Sequence, residues 1–171
     1  MVIVRAETAK DYDSVFRVNE LAFGRDNEAR LVEVVRKTEF FIPGLSLVAV
    51  KGVEVIGHIL ISMIHVDTKE GKTPVLGLAP IAVLPEFQRQ GIGSELIRKG
   101  IKESRRLKHQ AIVLIGHPEY YPRFGFEPAR AKGLETAYPV PDEVFLALEL
   151  YPGALDGISG MIIHPPAFND V

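Results

Sequence analysis

At 171 residues, with 47% hydrophobic and 25% charged side chains, the chain has the size and composition of one globular domain with a substantial core. Twenty basic against 22 acidic side chains give a formal charge of −2, a balance that points to neither nucleic acid nor an acidic membrane surface as partner. The absence of cysteine excludes disulfides, thiolate metal sites and a cysteine nucleophile.

Residues 1–10 carry Arg5, Glu7 and Lys10 and lack the apolar stretch of a signal peptide. No run approaches the roughly 18 to 20 apolar residues of a membrane helix, so the expected location is the cytoplasm. Residues 2–5 read as a first strand. Thr8, with Asp11 three residues on, reads as the start of a helix running to Phe23, with Val15, Val18, Leu21 and Ala22 as its apolar stripe and Gly24 as its stop. Asn27 is the expected cap of a second helix whose stripe is Leu31, Val34 and Val35. After the break at Pro43-Gly44, three strands follow, at 45–50, 55–66 and 74–84. A tight turn at 51–54 and a polar turn at 67–73 separate them, as in an antiparallel meander.

A helix over 92–107 comes next, with Ile92, Leu96, Ile97, Ile101 and Leu107 on its buried face, and then an apolar strand over 111–115. Strand, helix and strand form a crossover unit, which places 111–115 parallel to 74–84. A short helix over 119–124 and strands from Phe126, over 144–150 and over 161–163 complete the chain. The expected class is α+β: one mixed, mostly antiparallel sheet with helices on both faces.

The chemistry concentrates at Gln88-Arg89-Gln90-Gly91-Ile92-Gly93, where a strand, a glycine turn and a helix start meet. A helix start leaves backbone N–H groups unpaired and carries partial positive charge, and glycine lets a ligand approach, so this is an anion seat, most often for phosphate. A dinucleotide fingerprint requires a third glycine where Leu96 stands. Gly71-Lys72-Thr73 lacks the earlier glycine of a P-loop, since Val66 occupies that position, and no helix follows it. His58 and His65, seven apart in one strand, fall on opposite faces and read as structural. The five histidines include no H-x-x-x-H pair and make no metal case. The basic residues Arg98, Lys99, Lys102, Arg105, Arg106 and Lys108 read as a solvated helix face that suits the helix dipole.

The pattern that fits is Q/R-x-x-G-x-G/A. With Val4-Arg5-Ala6-Glu7, Ala22-Phe23-Gly24, the run from Leu78 to Phe87 and the run from Gly116 to Phe126, the chain resembles the GNAT N-acetyltransferase superfamily, within a bacterial subgroup of acetyltransferases, over nearly its whole length. The resemblance implies residues 1–151 as the acetyltransferase domain and 152–171 as a C-terminal extension packed on it. It implies acetyl-CoA as donor. The pyrophosphate would sit on backbone N–H groups of Gln88, Arg89, Gln90, Gly91, Ile92, Gly93 and Ser94. The pantetheine arm would pair with the backbone of Ile81, Ala82 and Val83, in a slot between strands 74–84 and 111–115. The Val83 N–H would stabilise the oxyanion, and Tyr121, four residues before Gly125-Phe126, would protonate the departing thiolate. Tyr121 has a plainer rival role, packing its ring against the sheet. The family's more common arrangement adds an Asn upstream of this tyrosine on a longer helix, a segment that is shortened here. The implied reaction is direct transfer to a primary amine of a small molecule or protein, without nucleic acid or membrane as partner, and the resemblance allows a homodimer. The rival class is a non-catalytic acyl-CoA-binding module.

Overall fold

The computed structural model describes residues 1–171, apart from the side chain of Asp170. Its strands are β1 (Val2–Ala6), β2 (Ser46–Lys51), β3 (Glu54–Thr68), β4 (Gly71–Val83), β5 (Ala111–Ile115), β6 (Glu127–Pro128), β7 (Leu134–Glu135), β8 (Phe145–Glu149) and β9 (Gly160–Ile163). The α-helices are α1 (Tyr12–Phe23), α2 (Asn27–Arg36) and α3 (Ile92–Arg106). The hydrogen-bonded order is β1-β2-β3-β4-β5-β8-β6, with β9 on β3 and β7 on β9. The neighbours are antiparallel in β1–β2, β2–β3, β5–β8, β6–β8 and β3–β9, while β4 and β5 run parallel with Leu76 opposite Ile112 and Gly77 opposite Val113. The α+β class and the parallel crossover pair stand as expected.

Contacts gather the chain into two compact units. The first comprises Met1–Ser62, Ala79–Glu103 and Pro166–Val171; the second comprises Met63–Leu78 and Ser104–Pro165.

In the first unit α1 and α3 take opposite faces of β3. The His58 ring meets Asn19 of α1, whereas a side chain at the neighbouring Gly57 would run into Leu96 and Ile92 of α3, at 3.1 and 3.3 Å from an ideal Cβ. Gly57 therefore lets the first turns of α3 sit close to the sheet. Ile92, Leu96, Ile97 and Ile101 are all buried, as the stripe requires. Leu107 is not in the helix and is exposed. The helix stops without glycine. Lys108 takes φ +65°, and the Lys108 and His109 N–H groups donate to Arg105 O (2.9 Å) and Ser104 O (3.1 Å), a Schellman closure.

Two expected stripes shift. In α1, Leu21 is exposed and Asn19 is buried instead; in α2, Val34 is exposed and Val32 is buried. The capping position of α2 is Asp26, with Asn27 as the first helical residue. Thr8 and Asp11 open a 3-10 turn ahead of α1: the Thr8 N–H donates to Asp11 Oδ2 at 2.7 Å. The hydrogen-bonded Arg5 guanidinium is the main cause that holds the Asp11 carboxyl down at about 2.

Asn19 is buried because it ends a polar chain. Arg36 donates to both Glu7 oxygens (2.8 and 3.1 Å), and Ser46 Oγ donates to Glu7 Oε1 (2.7 Å). Ser46 Oγ has then spent its proton, so it accepts from His58 Nε2 at 2.9 Å. His58 Nδ1 accepts from Asn19 Nδ2 at 3.2 Å, and that amide also donates to Val15 O at 3.0 Å. His58 is thus the neutral Nε2–H tautomer, and its 3.7 Å approach to Glu7 is not an ion pair. Burial, then the Arg36 charge, push its pKa down to about 3. The unfolded chain takes up a proton near pH 6.5 that the folded chain refuses until about pH 3, so this contribution is complete above pH 6.5 and is lost as pH falls toward 3. Urea unfolding at several pH values should show stability falling by about 1.4 kcal/mol per pH unit from this one group between pH 6 and 4. His58→Gln should flatten that slope, and an unchanged slope would contradict the assignment.

In the second unit the core is Ile64, Val66 and Val75 against Ala111, Val113, Phe145 and Ala147, with Leu134, Leu155 and Ile162 around them. The expected polar turn 67–73 is mostly strand: β3 and β4 extend to Thr68 and from Gly71. Residues 152–158 are tied to β8 by Glu149, which accepts from the Leu155 N–H (2.8 Å) and Lys132 Nζ (3.1 Å). The last turn, Pro166–Asp170, packs on α2 in the first unit.

Candidate functional site

The glycine turn is built by four residues of alternating hand. Gln88 is extended at φ −69°, Arg89 has φ +64° and Gly91 φ +85°, and Gln90 between them is not left-handed. Alternation of this kind turns successive backbone N–H groups into one concavity, a nest suited to an anion. The first bond of α3 runs from the Glu95 N–H to Gly91 O at 3.1 Å, so the Ile92 and Gly93 N–H groups lie ahead of the helical ladder. An ideal Cβ on Gly91 meets no heavy atom within 4 Å, so the space beside its backbone is open to a ligand.

The strand end that feeds this turn presents two different edges. Leu84 donates its N–H to Ile56 O of β3 at 2.9 Å, and Ala82 O lies near Gly57. Backbone groups alternate along a strand, so those of Ile81 and Val83 point away from β3. Of the three residues expected to pair with the pantetheine arm, Ile81 and Val83 thus turn their polar groups to the edge, whereas Ala82 turns its carbonyl to β3 and buries its side chain. Residues 81–94 all belong to the first unit.

Tyr121 belongs to the second unit and opens the 3-10 turn Tyr121–Phe124 after β5, shorter than the helix expected over 119–124. Its ring sits edge-on to Tyr120 and Phe126, with centroids 5.2 and 5.8 Å away, and lies close enough to Gly116 that any side chain there would collide with it. Burial, then the neighbouring Tyr120, raise its pKa to about 12. The ring therefore does pack, as the plainer role requires, while its hydroxyl stays protonated throughout the neutral range.

A family model for the acetyltransferase (GNAT) domain matches residues 3–129. The chain belongs to the GNAT acetyltransferase family. It is 40% identical over 134 residues to the uncharacterized N-acetyltransferase YjhQ of Escherichia coli K12, a match covering 78% of this chain and 74% of YjhQ. The crystal structure of the E. coli GNAT YhbS in complex with CoA superposes with a TM-score of 0.90 at 30% identity, covering 98% of this chain and 92% of that one. A Brucella melitensis GNAT in complex with acetyl-CoA gives a TM-score of 0.81 at 29% identity, covering 99% of each.

Three features of this GNAT chain lie outside what its sequence pattern indicated. Gln88 Nε2 donates to Val83 O at 3.0 Å, tying the turn to the strand end. Gly57 makes room for α3, and Gly116 for Tyr121. Each is a contact between residues whose spacing follows no helical or strand period. Among the described residues no helix is long and apolar enough to cross a membrane.

Proposed function

We propose that this GNAT chain transfers the acetyl group of acetyl-CoA directly to a primary amine, in the cytoplasm, with a small molecule or a protein as acceptor. The observation that carries the reading is the alternating-hand turn at Gln88–Gly91, continuous with a strand edge that exposes the Ile81 and Val83 backbone. The complexes of YhbS with CoA and of the Brucella protein with acetyl-CoA support the choice of donor. When bound, acetyl-CoA supplies an activated thioester carbonyl and a thiolate leaving group.

The N–H groups of Arg89, Gln90, Gly91, Ile92, Gly93 and Ser94 hold the pyrophosphate, aided by the positive end of α3, whereas the Gln88 N–H, expected among them, is taken by Pro85 O at 3.3 Å. Ile81 holds the extended arm by strand-like pairing, with Ala82 fixing the strand against β3 and the Val83 carbonyl engaged by Gln88 Nε2. The Val83 N–H faces the carbonyl oxygen as charge develops there. Tyr121 donates to the departing sulfur. A phenol near 12 is a weaker acid than a thiol near 8.5, so its main action is a hydrogen bond to the developing negative charge rather than early loss of its own proton. With no cysteine in the chain, no cysteine acyl-enzyme intervenes.

The test is release of free thiol from acetyl-CoA by the whole chain across a panel of small amines, amino-acid derivatives and peptide amines. Turnover with at least one amine is expected. Tight acetyl-CoA binding without turnover of any amine would instead make the chain an acyl-CoA-binding module.

A further inference from the structure

One polar contact at the site has no counterpart in the backbone cradle. The chain leaves β4 through a single 3-10 turn, in which the Phe87 N–H donates to Leu84 O at 2.9 Å and the Gln88 N–H to Pro85 O at 3.3 Å. The Gln88 side chain then reaches back five residues and donates from Nε2 to Val83 O at 3.0 Å, although it is itself exposed. The next residue, Arg89, holds a left-handed conformation that L side chains rarely adopt. The carbonyl that Gln88 engages lies on the same strand edge as the Val83 N–H, because both groups of one residue point to one side of a strand.

We infer that Gln88 is a positioning residue that clamps the anion-binding turn to the end of β4 and thereby fixes the spacing between the N–H groups at 90–93 and the Val83 N–H. The inference rests on the acetyl-CoA reading above. A second effect follows from the same bond. The Val83 carbonyl oxygen is partly negative and stands beside the one N–H at the strand end that faces a developing oxyanion. Engaging that oxygen with an amide donor reduces its repulsion of such a charge.

A clamp between two half-sites is felt by a ligand that spans both and not by one that fills a single half, because a spanning ligand draws its affinity from the fixed separation. Acetyl-CoA spans both, and ADP carries only the diphosphate side. Gln88→Met removes the donor at similar length, and Gln88→Arg restores a donor. By titration calorimetry on the whole chain, Gln88→Met should weaken acetyl-CoA binding about tenfold, the size of one net hydrogen bond, while ADP changes less than about twofold. Gln88→Arg should recover most of the loss. Equal weakening of both ligands would make Gln88 a support for the turn alone and overturn the clamp, as would undiminished acetyl-CoA binding by Gln88→Met or no recovery by Gln88→Arg. If the unaltered chain binds ADP but not acetyl-CoA, the donor assignment itself fails, and the clamp with it.

Discussion

Gly91→Val is expected to weaken acetyl-CoA binding by about a hundredfold or more, with only a modest fall in melting temperature. Gly91 has φ +85°, where a β-branched residue is strained, and that strain falls on the folded protein with or without ligand. The space beside Gly91 is empty of protein atoms within 4 Å, so the added side chain meets no core and the fold survives. What the side chain occupies is the approach to the N–H groups of the turn. Loss of two charge-assisted hydrogen bonds, each worth about 1.5–3 kcal/mol, corresponds to a factor of a hundred or more in affinity. Calorimetric titration with acetyl-CoA beside a thermal melt separates the two effects. Retained affinity would remove the turn from the site.

Tyr121→Phe is expected to lower kcat by about a hundredfold to a thousandfold with acetyl-CoA affinity unchanged, the range seen when one donor to a developing anion is removed. Phenylalanine keeps the ring and its packing on Tyr120, Phe126 and Gly116, so a purely structural tyrosine would lose little. The pH dependence provides a second reading. Burial holds the phenol at about 12, above its ordinary value near 10, so it remains a donor at every pH at which the amine is usefully neutral. The rate of the unaltered protein should therefore show no decline assignable to Tyr121 below about pH 11. Normal turnover by Tyr121→Phe at all pH values would leave the ring with packing alone. The same shift carries a stability consequence: the unfolded chain ionises near pH 10 and the folded chain near 12, so stability falls as pH rises through that interval.

How far the fold was legible depends on where water is. Helix α3 and strand β5 could be located from sequence because one has an apolar stripe at 3.6-residue spacing, buried from Ile92 to Ile101, and the other is apolar throughout and buried from Ala111 to Leu114. The β3–β4 hairpin is longer than its sequence indicates because its tip lies toward solvent: Thr68, Lys72 and Thr73 carry a strand backbone with none of the apolar alternation that marks a half-buried one. Helix α1 follows its sequence signals in extent but not in which residues it buries. Leu21 faces solvent while Asn19 faces the core, and the reason for the exchange is a histidine 39 residues away that needs a hydrogen-bond donor. The site divides in the same way. The glycine turn is visible as a local pattern. The Gln88–Val83 bond and the room that Gly116 leaves for Tyr121 are consequences of how the chain turns back on itself, and no spacing rule announces them.

The most direct measurement is a titration of the ¹⁵N-labelled protein with acetyl-CoA, followed through backbone amide resonances. Binding at this site predicts the largest changes at the N–H groups of Gln90, Gly91, Ile92 and Gly93, together with Val83, since these donate to the pyrophosphate and the thioester oxygen. Saturable acetyl-CoA binding that leaves those five amides in place would contradict it.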